Sequence, residues 1–395
     1  MIKVILKKGR EESLRRFHPW VFSGAIAQIN GNPSEGDIVS VHASDGSFLA
    51  AGHYQIGSIA VRILSFDSDP SSPGFYYDMI SRAYSVRKAS GLAGNAETTC
   101  FRLVHGEGDG LPGLIIDWYD GVCVMQAHSV GMFRAKGLIC DALRKLFGDS
   151  LKAVYDKSSG TAPFKAGLNL IDGYLYKKEG YDSGELEVLE NGRRFLVNWE
   201  EGQKTGFFLD QRDNRALLGK YAAGRHVLNL FCYTGGFSIY ALSAGAASVC
   251  SVDSSARAMS LVDRNVALNK LDNHTSVCDD AIEFLGKSEA GKYDLIIVDP
   301  PAFAKHRGAL KNALRAYQRL NAAAISKVAH GGLVFTFSCS QVVDKISFAN
   351  TVFSAAAQTG RNVRILDRLC QGCDHPVNIY HPEGEYLKGL LLYVE

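Results

Sequence analysis

Long apolar runs are missing from this sequence of 395 residues. No stretch of about eighteen consecutive apolar residues occurs, so no membrane-spanning helix is expected. Residues 1–8 are too short and too interrupted by lysine for a signal peptide, and they are predicted to form a strand. The composition, with 46% hydrophobic and 21% charged residues, is typical of a globular protein with sizeable cores. The length suits two or three domains.

An excess of charge of one sign is also missing, because the formal net charge is only +2. This balance neither supports nor excludes a nucleic-acid partner, for which the local distribution of charge matters more. Positive charge gathers at residues 7–16 and again at 305–311. Each cluster is equally typical of a solvated surface, so charge alone assigns no partner.

Paired metal-ligand motifs are absent. The nine cysteines are scattered and odd in number, and without a secretory signal this predicts reduced thiols and a cytoplasmic location. Cys370 and Cys373 form a lone C-x-x-C, whereas a zinc site needs a second ligand pair at matching spacing. We therefore predict no metal and interpret the pair as structural. The oligomeric state stays open, and a homodimer is among the states allowed.

Turn signals divide the chain into three predicted domains. Residues 1–70 contain short alternating runs separated by turns, which predicts a small β-barrel. Residues 71–185 combine helical spacing with a pair of strands and are predicted to be an α+β domain. Residues 186–395 begin with a predicted hairpin at Glu190-Asn191-Gly192, the strongest short hairpin signal in the chain.

After the hairpin, apolar strands alternate with helices, which predicts an α/β fold with a parallel, doubly wound sheet. Such sheets bind ligands at the carboxyl ends of their strands. The predicted strands are 226–231, 248–252, 275–278, 294–298 and 333–338, and the predicted helices are 212–221, 236–244, 255–268, 280–286 and 311–329.

Three successive strand ends carry groups that suit a nucleoside. The turn Thr234-Gly235-Gly236-Phe237 lets the backbone approach a ligand closely. Asp253 could accept ribose hydroxyl hydrogens, and Asp279-Asp280 could accept from an adenine amino group, although a lone Asp at a strand end is usually a turn or cap residue. NAD is disfavoured because G-x-G-x-x-G is absent. The combination favours S-adenosylmethionine (SAM).

The segment 204–212 precedes the first of these strands and contains glycine, aromatic residues and Asp210-Gln211-Arg212. It is placed where it could close over the cofactor. Equally, Asp210 could cap the helix that follows. The residues leave both interpretations open.

A cysteine follows the strand 333–338. A thiolate can add to carbon 6 of cytosine and make carbon 5 nucleophilic enough to take a methyl group, and Cys339 is placed for this role. Most strand cysteines are packing residues. Here Cys339 is predicted to lie opposite Asp299 on a neighbouring strand end, which favours the nucleophile.

Asp299-Pro300-Pro301-Ala302-Phe303 is similar to the D-P-P-Y/F segment of amino-methyltransferases, with one extra residue before the aromatic ring. It could hold a flipped base, although Pro-Pro also makes a rigid loop. The predicted substrate-binding residues are Pro300, Pro301, Phe303 and Lys305.

Several motifs together carry a family resemblance. They are H-P-W-V-F-S-G at 18–24, G-E-G-D-G-L-P-G at 106–113, K-T-G-F-F-L-D-Q-R at 204–212, N-L-F-C-Y-T-G-G-F at 229–237, V-D-P-P-A-F at 298–303, T-F-S-C-S at 336–340 and H-P-x-x-x-x-x-P-E-G-x-Y-L-K-G at 375–389. The chain resembles, over essentially its whole length, the ribosomal RNA large subunit methyltransferase I family of cytosine-5 methyltransferases.

That resemblance implies an N-terminal PUA domain for RNA contact, a central α+β domain and a C-terminal Rossmann-like SAM domain. It implies 5-methylcytosine formation in large-subunit ribosomal RNA, with Cys339 as nucleophile and Asp299 beside it in the catalytic site. The predicted SAM-binding residues are Phe231, Tyr233, Thr234, Gly235, Gly236, Phe237, Asp253, Asp280, Asp299, Asp210 and Arg212. The wider group of RNA cytosine-5 enzymes carries the motif D-A-P-C at the position of residues 299–302. This chain has Ala302 in place of the cysteine of that motif. The group that removes the carbon-5 proton is therefore open.

Three alternatives remain, of which the weakest is a small-molecule methyltransferase, because two extra domains suit a large substrate. The acceptor could be guanine N2 or N7 or an adenine amino group, in which case Cys339 would be dispensable. The chain could also be a non-catalytic RNA-binding assembly factor. The intact glycine turn, Asp253 and Cys339 count against that second alternative.

Overall fold

The computed structural model describes residues 1–163, 167–182, 184–304 and 306–395. The chain folds into two compact units, and each combines segments that are far apart in the sequence. The first unit comprises Met1–Val188, Val197–Phe207 and Cys373–Gly384, and the second comprises Leu189–Leu196, Phe208–Gly372 and Glu385–Glu395. No helix within the described ranges has the length and apolar character needed to cross a membrane. All nine cysteines are described, and none forms a disulfide.

The first unit begins with a six-stranded sheet of order β2-β6-β5-β4-β1-β3, in which β1 is parallel to β4 and antiparallel to β3. Valine and leucine side chains at alternate positions, such as Val4, Leu6, Val39 and Val41, form its core. The β-rich character predicted for residues 1–70 is confirmed, while closure into a barrel stays a prediction, and the sequence did not reveal β2 and β3. The elements are β1 (Ile2–Leu6), α1 (Glu12–Arg15), β2 (Trp20–Phe22), β3 (Ile26–Asn30), β4 (Ile38–His42), β5 (Phe48–Tyr54) and β6 (Ile59–Ser65).

A five-stranded sheet of order β11-β10-β9-β8-β7 follows in the same unit, with α2 and α4 packed on it. Two short helices, α3 and α4, meet at Ala135, and the predicted α+β character is confirmed. The elements are α2 (Phe75–Ala89), β7 (Cys100–His105), β8 (Leu114–Tyr119), β9 (Val122–Ala127), α3 (Val130–Arg134), α4 (Lys136–Phe147), β10 (Ala153–Asp156) and β11 (Gly173–Lys177).

Residues 373–384 belong to the first unit although their neighbours in sequence belong to the second. Arg87 is fully buried and forms a bidentate ion pair with Asp109. The same guanidinium donates to the carbonyl of Asp374 at 2.7 Å, and the amide of Arg102 donates to the Asp374 carboxylate at 2.9 Å. Asp374 thus completes a buried polar network built mostly from residues 87–117.

The predicted hairpin is present as the two-stranded sheet β12 (Glu185–Glu190) and β13 (Arg193–Asn198). Asn191 and Gly192 both have positive φ, 50° and 77°, as a type I′ turn requires. The tip of this hairpin, Leu189–Leu196, is part of the second unit.

The second unit is built on a seven-stranded sheet of order β16-β15-β14-β17-β18-β20-β19. Its first five strands are parallel and β20 runs antiparallel between β18 and β19. Strand β14 buries Leu228 in a core with α8, α9 and α10 and also buries Val227, which points to the opposite face. Burial on both faces explains the uninterrupted apolar runs of these strands.

The predicted strands and helices of this sheet are confirmed within a few residues. The sequence did not reveal α10, β19 and β20. The elements are α5 (Arg212–Ala222), β14 (His226–Leu230), α6 (Gly236–Ser243), β15 (Ser248–Asp253), α7 (Ala256–Leu268), β16 (His274–Cys278), α8 (Ala281–Lys287), β17 (Tyr293–Val298), α9 (Leu310–Lys327), β18 (Val328–Ser338), α10 (Lys345–Thr359), β19 (Val363–Leu369) and β20 (Lys388–Val394).

Candidate active site

The glycine turn after β14 has unusual backbone geometry. Phe231 and Tyr233 have positive φ of 57° and 47°, which is uncommon for residues other than glycine and recurs at functional sites. Gly235 has φ 80°, and a Cβ there would lie 3.0 Å from Val262 Cγ1. The turn therefore needs glycine at 235, and it carries the backbone from the end of β14 directly into α6.

The side chains of this turn differ in exposure. Thr234 and Phe237 are buried, and Phe237 packs on Phe337 with ring centroids 5.6 Å apart. Phe231 and Tyr233 are only partly buried, so they present side-chain surface at the carboxyl edge of the sheet. A ligand at this edge would meet mainly backbone from residues 234–237.

Asp253 ends β15, the neighbouring strand, and holds the glycine turn. Its Oδ2 accepts a hydrogen bond from the amide of Tyr233 at 3.0 Å, and its Oδ1 accepts from the amide of Ser255 at 2.9 Å. A carboxylate oxygen has two lone pairs, so each oxygen keeps acceptor capacity for a hydroxyl group. Asp253 is thus placed both to shape the turn and to bind a diol.

Asp280 follows β16 and is the N-cap of α8. Its Oδ1 accepts from the amides of Ile282 and Glu283 at 2.9 and 3.0 Å. The helix-cap interpretation, which the sequence left beside the cofactor interpretation, is confirmed for this residue. Its contact with an adenine amino group stays a prediction.

Asp210 and Gln211 lie under the same edge of the sheet. Asp210 accepts from the hydroxyl of Tyr386 at 2.6 Å, and Gln211 donates from Nε2 to Asp299 at 2.9 Å. The N-cap of α5 is Gln211, without a side-chain capping bond, so the alternative in which Asp210 caps this helix is wrong. Through Gln211, the segment 208–211 orients the carboxylate at the end of β17.

Arg212 lies in a buried ion-pair cluster. Its Nε is 3.7 Å from Glu190, and Arg215 forms a bidentate pair with the same carboxylate at 2.8 and 2.7 Å. Burial lowers the pKa of Arg215, but the charge and hydrogen bonds of Glu190 outweigh it and the pKa is raised above its ordinary value. The sequence did not identify Glu190 or Arg215, and contact between Arg212 and a cofactor stays a prediction.

Cys339 directly follows β18 and is partly exposed, while Ser338 and Ser340 on either side of it are buried. The hydroxyl of Ser340 lies 3.2 Å from the Tyr317 hydroxyl. Asp299 follows β17, which pairs in parallel with β18. The structure thus brings the thiol and the carboxylate to adjacent strand ends, as the sequence predicted.

The loop after Asp299 contains the other predicted substrate-binding residues. Pro300 is buried and Pro301 is exposed. The ring of Phe303 packs against Tyr317 with centroids 4.7 Å apart, so one of its faces is supported from α9. Lys305 lies outside the described residues. Sequence reasoning missed Tyr317, since nothing in the helical spacing of α9 distinguishes it from a core aromatic.

A separate cluster in the first unit has the composition of a metal site among the described residues: His18, His381 and Glu383. The Glu383 oxygens lie 3.7 and 3.8 Å from the Nε2 atoms of the two histidines. The amide of Trp20 donates to Nδ1 of His18 at 3.3 Å, so this nitrogen is already used as an acceptor within the first unit.

Comparison with known proteins agrees with this architecture. Residues 101–376 match a family model described as S-adenosylmethionine-dependent methyltransferase, and residues 4–66 match a PUA-like domain. The fold is similar to that of a protein from Streptococcus mutans described as a SAM-dependent methyltransferase, with a TM-score of 0.84, 24% identity and full coverage of both chains. A methyltransferase solved in complex with SAH has a TM-score of 0.85, also at 24% identity and full coverage.

These findings define a SAM-dependent methyltransferase with a PUA-like domain. The chain is 40% identical over 397 residues to ribosomal RNA large subunit methyltransferase I of Aeromonas hydrophila, covering 98% of each chain. It is 37% identical over 399 residues to the Escherichia coli protein of the same name, again covering 98% of each. It therefore belongs to the ribosomal RNA large subunit methyltransferase I family.

The strand-end residues fit SAM, the cofactor of this family. The turn at 234–237 has at Gly235 the positive φ that a close backbone approach favours, and each Asp253 oxygen accepts one hydrogen bond and so keeps a lone pair for another. A nucleoside with a free ribose diol matches this donor and acceptor set.

Replacing Asp253 by alanine is expected to weaken SAM binding about tenfold to a hundredfold. The variant loses the acceptor for the ribose hydroxyls and the bond to the Tyr233 amide, and hydrogen bonds to a charged group contribute about 1.5–3 kcal/mol each. Isothermal titration with SAM measures the change. Asp272→Ala removes an exposed aspartate from the same unit and should bind as the wild type does; equal affinities for all three proteins would refute the role of Asp253.

Proposed function

We propose that this protein methylates carbon 5 of a cytosine in large-subunit ribosomal RNA through a covalent adduct with Cys339. The observation that carries the proposal is the position of Cys339 at the end of β18, next to Asp299 at the end of β17 and on the edge that holds the glycine turn. The names of relatives that share about 40% of the sequence support the choice of ribosomal RNA.

The chemistry requires activation of the base, because carbon 5 of cytosine is a poor nucleophile. Bound SAM supplies a methyl group on a sulfonium centre. The Cys339 thiolate adds to carbon 6, and the electron density displaced by the new S–C bond makes carbon 5 nucleophilic. After carbon 5 is methylated, transfer of its proton to water or to Asp299 restores the double bond between carbons 5 and 6, and the S–C bond breaks to release the thiolate.

The loop after β17 would hold the base during these steps. Asp299 is oriented by Gln211 and can accept from the cytosine amino group. Phe303 is supported from behind by Tyr317, so its outer face can stack on a base that has been flipped out of its helix. Pro300 and Pro301 restrict the backbone between these two contacts.

The N-terminal PUA-like unit would bind RNA outside the catalytic site. A large substrate is the simplest reason for a methyltransferase to carry a domain of this class. Ribosomal RNA as substrate also implies the cytoplasm as the working compartment.

Methyl transfer from labelled SAM to ribosomal RNA lacking the modification tests the proposal, with nucleoside analysis of the product. We expect 5-methylcytidine as the labelled nucleoside. A methylated guanosine or adenosine would contradict cytosine chemistry and make the Asp299-Pro300-Pro301 loop the catalytic centre. RNA binding and SAM binding without any methylated product would instead indicate an assembly factor.

A further inference from the structure

Lys388 is a buried lysine beside the proposed nucleophile. It begins β20 and lies opposite Ser338 in the antiparallel ladder of β18 and β20. Its side chain is almost completely buried, and Nζ donates to the carbonyl oxygens of Ser340 at 2.6 Å and Tyr386 at 2.5 Å. Because Ser338 and Ser340 flank Cys339, these contacts place the Lys388 amine against the segment that carries the thiol.

Charged groups of both signs act on Lys388. Burial lowers the pKa of Lys388 to about 8, while the negative charges of Cys339, Asp344 and Glu385 act to raise this pKa and Lys345 acts to lower it. Glu385 forms an ion pair with Lys345, and Asp344 caps α10 through the amide of Ser347. Cys339 lies between Ser338, which is opposite Lys388 in the ladder, and Ser340, whose carbonyl binds the amine.

Tyr317 approaches Cys339 from α9. Burial raises the pKa of Tyr317, hydrogen bonds from Ser338 and Ser340 lower it, and the charge of Cys339 raises it further. The phenol is therefore neutral near pH 7 and cannot accept the thiol proton. Of these two neighbours, only Lys388 is a base that titrates near neutral pH.

We propose that Lys388 keeps Cys339 in the thiolate form, ready to add to the base. In the step that forms the pair, the proton of Sγ passes to the neutral Nζ: one S–H bond breaks, one N–H bond forms, and the net charge of the pair is unchanged. An ammonium has three N–H donors. Two of them donate to carbonyl oxygens, and in this scheme the third donates to the thiolate. When the product leaves, the thiolate is formed again beside the same ammonium.

The inference rests on the proposed function, because it assumes that Cys339 attacks the base. Lys388 is a positioning residue in this scheme, since it acts through the sulfur and does not touch the RNA. A lysine that only tied together the carbonyls of Ser340 and Tyr386 would support the loop but would not alter the ionisation of the thiol. The two roles differ in the pH dependence of thiol reactivity.

The test is the pH dependence of alkylation by iodoacetamide, followed by mass spectrometry of the peptide that contains Cys339. In the wild type, we expect alkylation of Cys339 to rise at lower pH than that of the exposed Cys278, which serves as reference in the same sample. In Lys388→Met, the rate at Cys339 near pH 7 should fall at least about tenfold, because each unit in the pKa changes the thiolate fraction tenfold. Lys388→Arg keeps the positive charge and should remain within about threefold of the wild type.

Lys220→Met is the matched control, because it removes an exposed lysine on α5 of the same unit and should leave the profile unchanged. A profile of Cys339 that is the same in the wild type and in a folded Lys388→Met protein would overturn the inference. The inference would also be overturned if, in the wild type alone, alkylation of Cys339 rose at no lower pH than alkylation of Cys278. Alkylation requires no RNA, so failure to form 5-methylcytidine would reject the proposed function and leave this measurement interpretable on its own.

Discussion

Replacing Cys339 by alanine is expected to reduce methyl transfer at least about a thousandfold, the scale on which a covalent nucleophile acts, while the affinity for SAM stays unchanged. The reason is that the thiol follows β18, whereas the residues that fit the cofactor follow β14 and β15. The measurement is single-turnover transfer from labelled SAM to ribosomal RNA, beside titration of SAM. If Cys339→Ala still transferred the methyl group to RNA, the covalent mechanism would be ruled out.

A trapping experiment separates a chemical role of Cys339 from a structural one. In RNA containing 5-fluorocytidine, the methylated adduct has no carbon-5 proton to lose, so the thiol cannot be expelled. The wild type should therefore form a SAM-dependent covalent complex that survives a denaturing gel, and Cys339→Ala should form none. Cys370→Ala is the matched control, since Cys370 is an exposed cysteine of the same unit; it should trap RNA as the wild type does.

Replacing Glu190 by alanine is expected to lower the free energy of unfolding by about 3–5 kcal/mol, because it removes the carboxylate from between two buried guanidinium groups. Glu190 is fully buried, and the side chains of Arg212 and Arg215 are 1% and 3% exposed. The ion pairs of Glu190 with Arg212 and Arg215 also hold the tip of the β12–β13 hairpin against α5. Urea denaturation followed by circular dichroism measures the change.

Glu289→Ala provides the comparison for this prediction. Glu289 is an exposed glutamate of the same unit, so its removal should change the free energy of unfolding by no more than about 0.5 kcal/mol. Similar midpoints for the two variants would show that the buried cluster contributes little. Glu190→Gln, which keeps the shape but not the charge, should fall between them.

Much of the second unit was predictable because its signals are local. The hairpin at Asn191-Gly192 needs positive φ at two adjacent residues, and this dipeptide tolerates it. The parallel strands are buried on both faces, so they are apolar without interruption. The strand-end positions of Asp253, Asp299 and Cys339 followed from these strand boundaries alone.

The features that sequence reasoning missed depend on distant partners. Strand β19 is an edge strand whose residues are mostly exposed, and its charged residues Arg364, Asp367 and Arg368 interrupt the apolar pattern that marks a buried strand. The position of Lys388 against Ser340 depends on an antiparallel return of the chain about fifty residues later, which no local pattern encodes. The Glu190 cluster likewise joins a hairpin tip to a helix, and no fixed sequence spacing between these residues predicts that they meet.

Residues 373–384 belong to the first unit although they come late in the sequence, and this has a consequence for biosynthesis. Asp374 completes the polar network around Arg87 and Arg102, yet it is synthesised more than 250 residues after them. A nascent chain that ends before residue 374 therefore lacks one carbonyl acceptor for Arg87 and the carboxylate acceptor for the Arg102 amide. Fragments ending before residue 373 should be poorer folders than their length suggests, because a single cut of the gene near this point separates the network from the residue that completes it.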